Sequence, residues 1–231
     1  MSGRPTFTLF MPTMNEVEGM KAMMPRVNKA WVDEILVVDG GSRDGTLEYA
    51  EAEGYRIAHQ TKTKGIMGAY MEGLPHVKTD VVIAFSPDGN SLPERIPALV
   101  EKMKEGYDMV IVSRYLDGAK SEDDDPVTAF GNWMFTTMIN VAFGGHYTDS
   151  LVMFRAWVKD SLGSISRVEF PRAGFEPLMS IRCAKEKRKV TEIPGDEPKR
   201  IGSARKMDPL KNGMDILRLI AAEKMARGRR P

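Results

Sequence analysis

Hydrophobic residues in the first half of the chain fall in short β-branched runs separated by longer stretches with helical spacing. Five runs read as strands: 7–11, 34–39 (EILVVD), 56–59, 81–85 (VVIAF) and 109–113 (MVIVS). The second and the last two are almost continuous in Val, Ile and Leu, as strands buried on both faces must be. Each gap is long enough for a helical crossover, so the pattern predicts β-α-β units around a parallel sheet, an α/β fold. Asp44, Gly45 and Thr46 open one helix, and Pro93 sits in the first turn of another over 92–104. Beyond Ser113 the pattern becomes mixed. An acidic stretch (117–125) precedes an uncharged apolar segment (126–148), and a further strand is predicted at 150–155. A helix at 175–187, a short strand at 189–193 and a last helix at 209–227 complete the chain. Residues 195–208, where Pro198, Gly202 and Ser203 mix with basic side chains, read as a mobile surface loop.

Composition narrows the function classes. Of 231 residues, 42% are hydrophobic, enough for a real core, and no repeat or Gly/Ser linker divides the chain, so one domain over 1–231 is expected. Thirty-three basic residues against 32 acidic ones give a formal charge of +1. No global field therefore exists to capture nucleic acid, and an anionic ligand must be held locally. The lone Cys183 excludes an internal disulfide framework and a multi-thiolate metal site, and His59, His76 and His146 lack metal-ligand spacing. Neither a signal peptide nor an 18-residue apolar run is seen, because Gly131, Asn132, Thr136 and Asn140 interrupt 126–148. A cytoplasmic protein is expected.

Ligands of open α/β sheets bind beyond the carboxyl ends of the strands. Here those positions are polar and glycine-rich: Pro12, Thr13, Asn15 and Glu16 after the first strand, Asp39, Gly40, Gly41, Ser42 and Asp44 after the second, Ser86, Asp88 and Asn90 after the fourth, and Arg114 after the fifth. Asp88 and Asn90, two positions apart, would offer two oxygens to a hard divalent cation. The absence of G-x-G-x-x-G after the first strand disfavours a dinucleotide-dependent oxidoreductase.

Six segments taken together resemble family 2 glycosyltransferases of GT-A fold, in particular the polyprenyl-phosphate (dolichol-phosphate) mannose and glucose synthases. They are PTMNE (12–16), VVDGGSRDGT (37–46), TKGIMGAYMEG (63–73), SPDGNSLPE (86–94), SRY (113–115) and DSLVMFR (149–155). The resemblance implies a Rossmann-like, mostly parallel sheet with helices on both faces. It assigns 1–115 to nucleotide-sugar binding and 116–208 to the acceptor, with a basic helix at 209–231. It implies an inverting transfer from a UDP- or GDP-sugar to a lipid-linked or cell-envelope acceptor such as polyprenyl phosphate. The donor would meet Pro12, Thr13, Asn15, Glu16, Asp39, Gly41, Ser42, Lys64, Gly65, Ser86 and Asp88, with Arg200, Arg205 and Lys206 closing over the diphosphate. Mg²⁺ or Mn²⁺ would bind at Asp88 and Asn90, although Ser86 stands where the family carries its first Asp. Arg114, Lys120 and Trp133 would face the acceptor. If the acceptor is a hydroxyl, Asp149 or Glu176 would take its proton. A degenerate, binding-only protein is the rival reading, favoured by Ser86.

From Lys199 onward ten Lys/Arg stand against three acids, and Met214, Leu217 and Ile220 recur at helical spacing. That helix would pack on its own domain, on a second subunit, or peripherally on an anionic membrane at its inner face.

Overall fold

The computed structural model describes residues 4–162, 174–202 and 208–226. These contain seven strands: β1 (Phe7–Thr13), β2 (Glu34–Asp39), β3 (Arg56–His59), β4 (Val81–Ala84), β5 (Met109–Ser113), β6 (Arg155–Val158) and β7 (Val190–Pro194). They form one sheet in the order β3-β2-β1-β4-β6-β5-β7, parallel except for β6, which runs antiparallel between β4 and β5. Around it lie α1 (Val17–Met23), α2 (Thr46–Ala52), α3 (Gly65–Gly73), α4 (Ile96–Lys104), α5 (Pro126–Phe143), α6 (Phe175–Lys185) and α7 (Pro209–Met225). Every residue of β4 and β5 is buried, so both faces of the sheet are covered, as the unbroken apolar runs require.

Close approach of helices to the sheet depends on small residues. A Cβ on Gly73 of α3 would fall 2.6 Å from Val38 Cγ2 and 2.7 Å from the Phe10 ring, so α3 lies directly on β1 and β2. Tyr70, one turn earlier, stacks between Phe10 at 5.4 Å and Phe175 at 4.4 Å, which joins α3 to the start of α6.

Three expectations are corrected. The strand predicted at 150–155 begins only at Arg155, because polar groups bend the preceding segment: Val152 N donates to Asp149 Oδ1 at 3.2 Å. The Arg155 guanidinium, fully buried, donates to the carbonyls of Ser150 (3.1 Å) and Val152, gathering that turn around itself. The helix at 92–104 starts as a 3-10 turn, Pro93–Arg95, before continuing as α4. The described part of the 195–208 loop is pinned down: Glu197 N donates to Lys120 O at 2.9 Å, and Glu122 N to Glu197 O at 2.8 Å. Residues 203–207, with Arg205 and Lys206, and the predicted helix end at Arg227 lie outside the described residues.

Candidate active site at the carboxyl edge of the sheet

The ends of β1 and β2 are laced together by their loops. Asp39, the last residue of β2, is buried and accepts from Gly41 N at 2.8 Å and from Ser42 N at 3.1 Å. This tight return needs Gly41, whose φ of +98° is costly for a residue with a Cβ. Asn15 N donates to Ser42 Oγ at 2.9 Å, and Arg43 N to Asn15 Oδ1 at 2.8 Å. Asp44 joins α1 to α2, accepting from Val17 N and Thr46 N, both at 3.0 Å. Its limited burial would raise its pKa, but these bonds and the Thr46 hydroxyl outweigh that and lower it, so it stays ionised. The residues expected to contact the donor after β1 and β2 are thus held on one framework. Lys64 and Gly65 stand at the start of α3, beyond the end of β3 on the same edge; both are exposed, and no Cβ contact would crowd Gly65.

The loop after β4 forms the next wall. A cleft of about 180 Å³ is lined by Ser86, Asp88, Asn90, Arg114, Glu197 and Arg200, among others. Asn90 N donates to Asp88 Oδ1 at 3.1 Å, turning the loop back on itself. Asn90 Nδ2 donates to Pro198 O at 3.0 Å, leaving Asn90 Oδ1 buried without a partner among the described residues. Thr13 Oγ1, at the end of β1, is likewise buried and unpartnered. Buried oxygens without partners are costly in a folded chain and call for a water, an ion or a ligand to satisfy them. The carboxylate of Asp88, the amide oxygen of Asn90 and the hydroxyl of Ser86 are hard oxygen donors that suit Mg²⁺ or Mn²⁺. Among the described residues no group of three or more His, Cys, Asp or Glu is set to hold a metal, so the coordination of such a cation would be completed by water or by oxygens of the diphosphate.

Arg114 lies behind this wall at the centre of an ionic network. Its Nε and Nη2 donate to Asp149 Oδ2 and Oδ1 at 2.6 and 3.0 Å, and Nη1 donates to Glu197 Oε2 at 3.1 Å. Asp124 Oδ2 is 3.5 Å from Nη1, so one guanidinium faces three carboxylates. Burial alone would raise the Asp149 pKa, but the charge and hydrogen bonds of Arg114 outweigh it and hold the group below its ordinary value. At Glu197 the balance reverses: burial outweighs Arg114 and the Ser121 hydroxyl, and the pKa is raised. Asp149 is therefore the ionised partner of Arg114, and Glu197 is the member that protonates more readily.

The two carboxylates expected as alternative bases are both committed elsewhere. Asp149 is 0% exposed with both oxygens on Arg114, so it anchors that side chain and does not face an acceptor. Glu176, in the first turn of α6, is buried and accepts from Tyr70 Oη at 2.9 Å. Trp133 stands 61% exposed on the outer side of α5 beside Phe130, apart from the residues that line the cleft. Lys120 is exposed next to the cleft, its N–H donating to Asp196 Oδ1 at 2.9 Å. Sequence reasoning missed Asp124 and Glu197; the acidic composition of 117–125 was visible, but its convergence on Arg114 joins residues 83 positions apart.

The order of the seven strands, with polar side chains gathered at the carboxyl ends of β1, β2 and β4, agrees with the GT-A fold that the sequence motifs imply. The profile of "Glycosyl transferase family 2" matches residues 8–161, and the chain belongs to that family. Among curated relatives, an undecaprenyl-phosphate mannosyltransferase of Micrococcus luteus is 29% identical over 194 residues, covering 79% of each chain. A dolichol-phosphate mannosyltransferase of Pyrococcus furiosus is 30% identical over 203 residues, covering 81% of this chain but 55% of that enzyme. Among solved structures, glucosyl-3-phosphoglycerate synthase from Mycobacterium tuberculosis, in complex with Mn²⁺, UDP-glucose and phosphoglyceric acid, superimposes with a TM-score of 0.69. It is 20% identical, with 96% of this chain and 80% of that one covered, and supports the fold.

Proposed function

We propose that this protein transfers a sugar, with inversion, from a UDP- or GDP-sugar to the phosphate of a polyprenyl lipid, using Mg²⁺ or Mn²⁺. One observation carries the reading: the two buried oxygens without partners among the described residues, Thr13 Oγ1 and Asn90 Oδ1, belong to the segments expected to hold donor and cation. The relatives from Micrococcus luteus and Pyrococcus furiosus, both polyprenyl-phosphate mannosyltransferases, support the lipid-phosphate acceptor.

Asp39 and the loop it organises hold the nucleotide, and Asp88, Asn90 and Ser86 hold the cation. The cation, when bound, neutralises the departing diphosphate. Arg200 beside the cleft adds positive charge for that leaving group. Arg114, oriented by Asp149, fixes the acceptor side of the cleft together with Lys120. A phosphate acceptor already carries an anionic oxygen near neutral pH and requires no general base, in keeping with the commitment of Asp149 and Glu176 to internal partners.

No helix among the described residues is long and apolar enough to cross a membrane. Two neighbouring helices nevertheless expose apolar side chains: Val127, Phe130, Trp133 and Val141 on α5, and Leu210, Met214, Leu217 and Met225 on α7. Lys211 and Arg218 flank the second stripe. This face would rest peripherally on an anionic bilayer and meet the lipid acceptor there.

The test is incubation with UDP-glucose, UDP-N-acetylglucosamine or GDP-mannose, Mn²⁺ and undecaprenyl phosphate in detergent, with mass spectrometry of the lipid. A glycosyl phospholipid that disappears in Asp88→Ala supports the proposal. Donor binding with neither transfer nor hydrolysis would favour the binding-only reading that Ser86 suggests.

A further inference from the structure

The segment 195–202 is strapped across the loop that carries Asp88. Ile201 N donates to Asp88 O at 2.6 Å, and Pro198 O accepts from Asn90 Nδ2 at 3.0 Å. Gly89, at φ +95°, lies so close beneath Ile201 that a Cβ would come within 2.9 Å of Ile201 Cγ1. On the far side, Ser121 and Glu197 form a parallel bridge. The strap delivers one side chain to the cation-binding carboxylate: Arg200 Nη1 is 3.4 Å from Asp88 Oδ2. The same guanidinium donates from Nε and Nη2 to Asp123 Oδ2 at 3.4 and 3.3 Å. It therefore spans two carboxylates, one beyond β4 and one in the acidic run before α5.

We propose that Arg200 is the internal counter-ion of Asp88 and competes with the divalent cation for that carboxylate. The inference rests on the cation reading given above. A guanidinium cannot shed its proton, so its charge at Asp88 is permanent. The side chains of Arg200 and Asp88 are 25% and 10% exposed, so water only partly screens the pair. A cation coordinating Asp88 Oδ2 would face a guanidinium nitrogen 3.4 Å from the same oxygen, and repulsion between the two positive groups would weaken the hold of each on that carboxylate. Ser86 sharpens the contest because it brings no second negative charge to the loop. The cation alone thus binds against Arg200. When it displaces the guanidinium, Arg200 stays tethered beside the cleft by Asp123, where an incoming diphosphate would meet it.

Mn²⁺ titration monitored by electron paramagnetic resonance, on the intact chain without nucleotide, reads this competition directly. Arg200→Gln should bind Mn²⁺ about fivefold more tightly than the wild type, the size expected for releasing one partly screened ion pair. Arg200→Lys keeps the charge and should remain within about threefold of the wild type, since a point charge only partly replaces the guanidinium fork. Asp88→Asn should abolish the site in either background. Equal or weaker Mn²⁺ binding by Arg200→Gln would overturn the competition while leaving the cation site standing. Absence of Mn²⁺ binding in both the wild type and Arg200→Gln, with UDP present as well as without it, would overturn the cation reading itself, and the competition with it.

Discussion

Asp39 ends β2 and Asp88 lies in the loop after β4, and their substitutions should read out differently. Asp88→Ala should abolish the metal-dependent part of nucleotide binding, whereas Asp39→Ala should weaken nucleotide binding with or without Mn²⁺. A thermal-shift panel of UDP and GDP with and without Mn²⁺ distinguishes the two, and wild-type shifts in both variants would refute this placement. Cys183 is a residue without a chemical task. It is 1% exposed, and burial pushes its thiol up to about 12, so thiolate is scarce at neutral pH. Ellman's reagent should leave the native protein unmodified for hours and titrate one thiol after denaturation; rapid labelling of the native protein would contradict this burial. The motif residues were legible one by one because a strand-end carboxylate or amide follows directly from local pattern. The commitments of Asp149 and Glu176 were not, since each depends on a partner distant in sequence, Arg114 and Tyr70.

Elements position these residues through contact as much as through hydrogen bonds. Helix α1 lies against the loop after β4 at Gly19, where a Cβ would come 2.3 Å from Pro87 O and 3.0 Å from Asp88 Cα. Gly19→Ala should destabilise the fold by about 1–3 kcal/mol, as overpacking against backbone does, and should also weaken Mn²⁺ binding by displacing Asp88. Urea melts and Mn²⁺ titrations of the variant check both effects, and an unaltered metal affinity would show that the loop yields without moving its carboxylate. The first five strands were read correctly because their apolar runs bury both faces. β6 was misplaced because 150–154 is apolar enough to pass for a strand, whereas the buried Arg155 and Asp149 hold it in a turn. The uncharged run in α5 divides between core and surface. The structure places Ile139 and Phe143 in the core and leaves Val127, Phe130, Trp133 and Val141 outside.

At the scale of the whole molecule, the Arg114 network joins the end of β5, the acidic run, the 149–154 turn and the strap. Asp149→Ala should lower stability by about 3–5 kcal/mol, because it leaves the buried guanidinium short of its main partner. The pH dependence follows from the directions of the shifts. Asp149 titrates lower in the folded than in the unfolded chain, so its contribution is present above the unfolded carboxylate value and is lost as pH falls through the lowered folded one. Glu197 titrates higher when folded, so acidification through its window adds stability. Chemical melts should show stability level or slightly rising from neutrality to about pH 5, then falling below about pH 4. A steady decline from pH 7 would contradict the Glu197 assignment. The exposed α5 and α7 stripes make a further prediction: Trp133→Ser combined with Leu210→Ser should reduce co-sedimentation with phosphatidylglycerol vesicles severalfold at low salt while leaving Mn²⁺ affinity unchanged.

The sequence by itself determined the alternation of strands and helices, the polar strand ends and the family resemblance, because these depend on local periodicity and on motifs whose residues are neighbours in the chain. Only the tertiary structure decided which charges meet. Arg200 reaches Asp88 across 112 positions, Glu197 reaches Arg114 across 83, and β6 enters the sheet antiparallel between β4 and β5. Coulombic attraction and desolvation depend on distance in space, and no spacing along the chain records them.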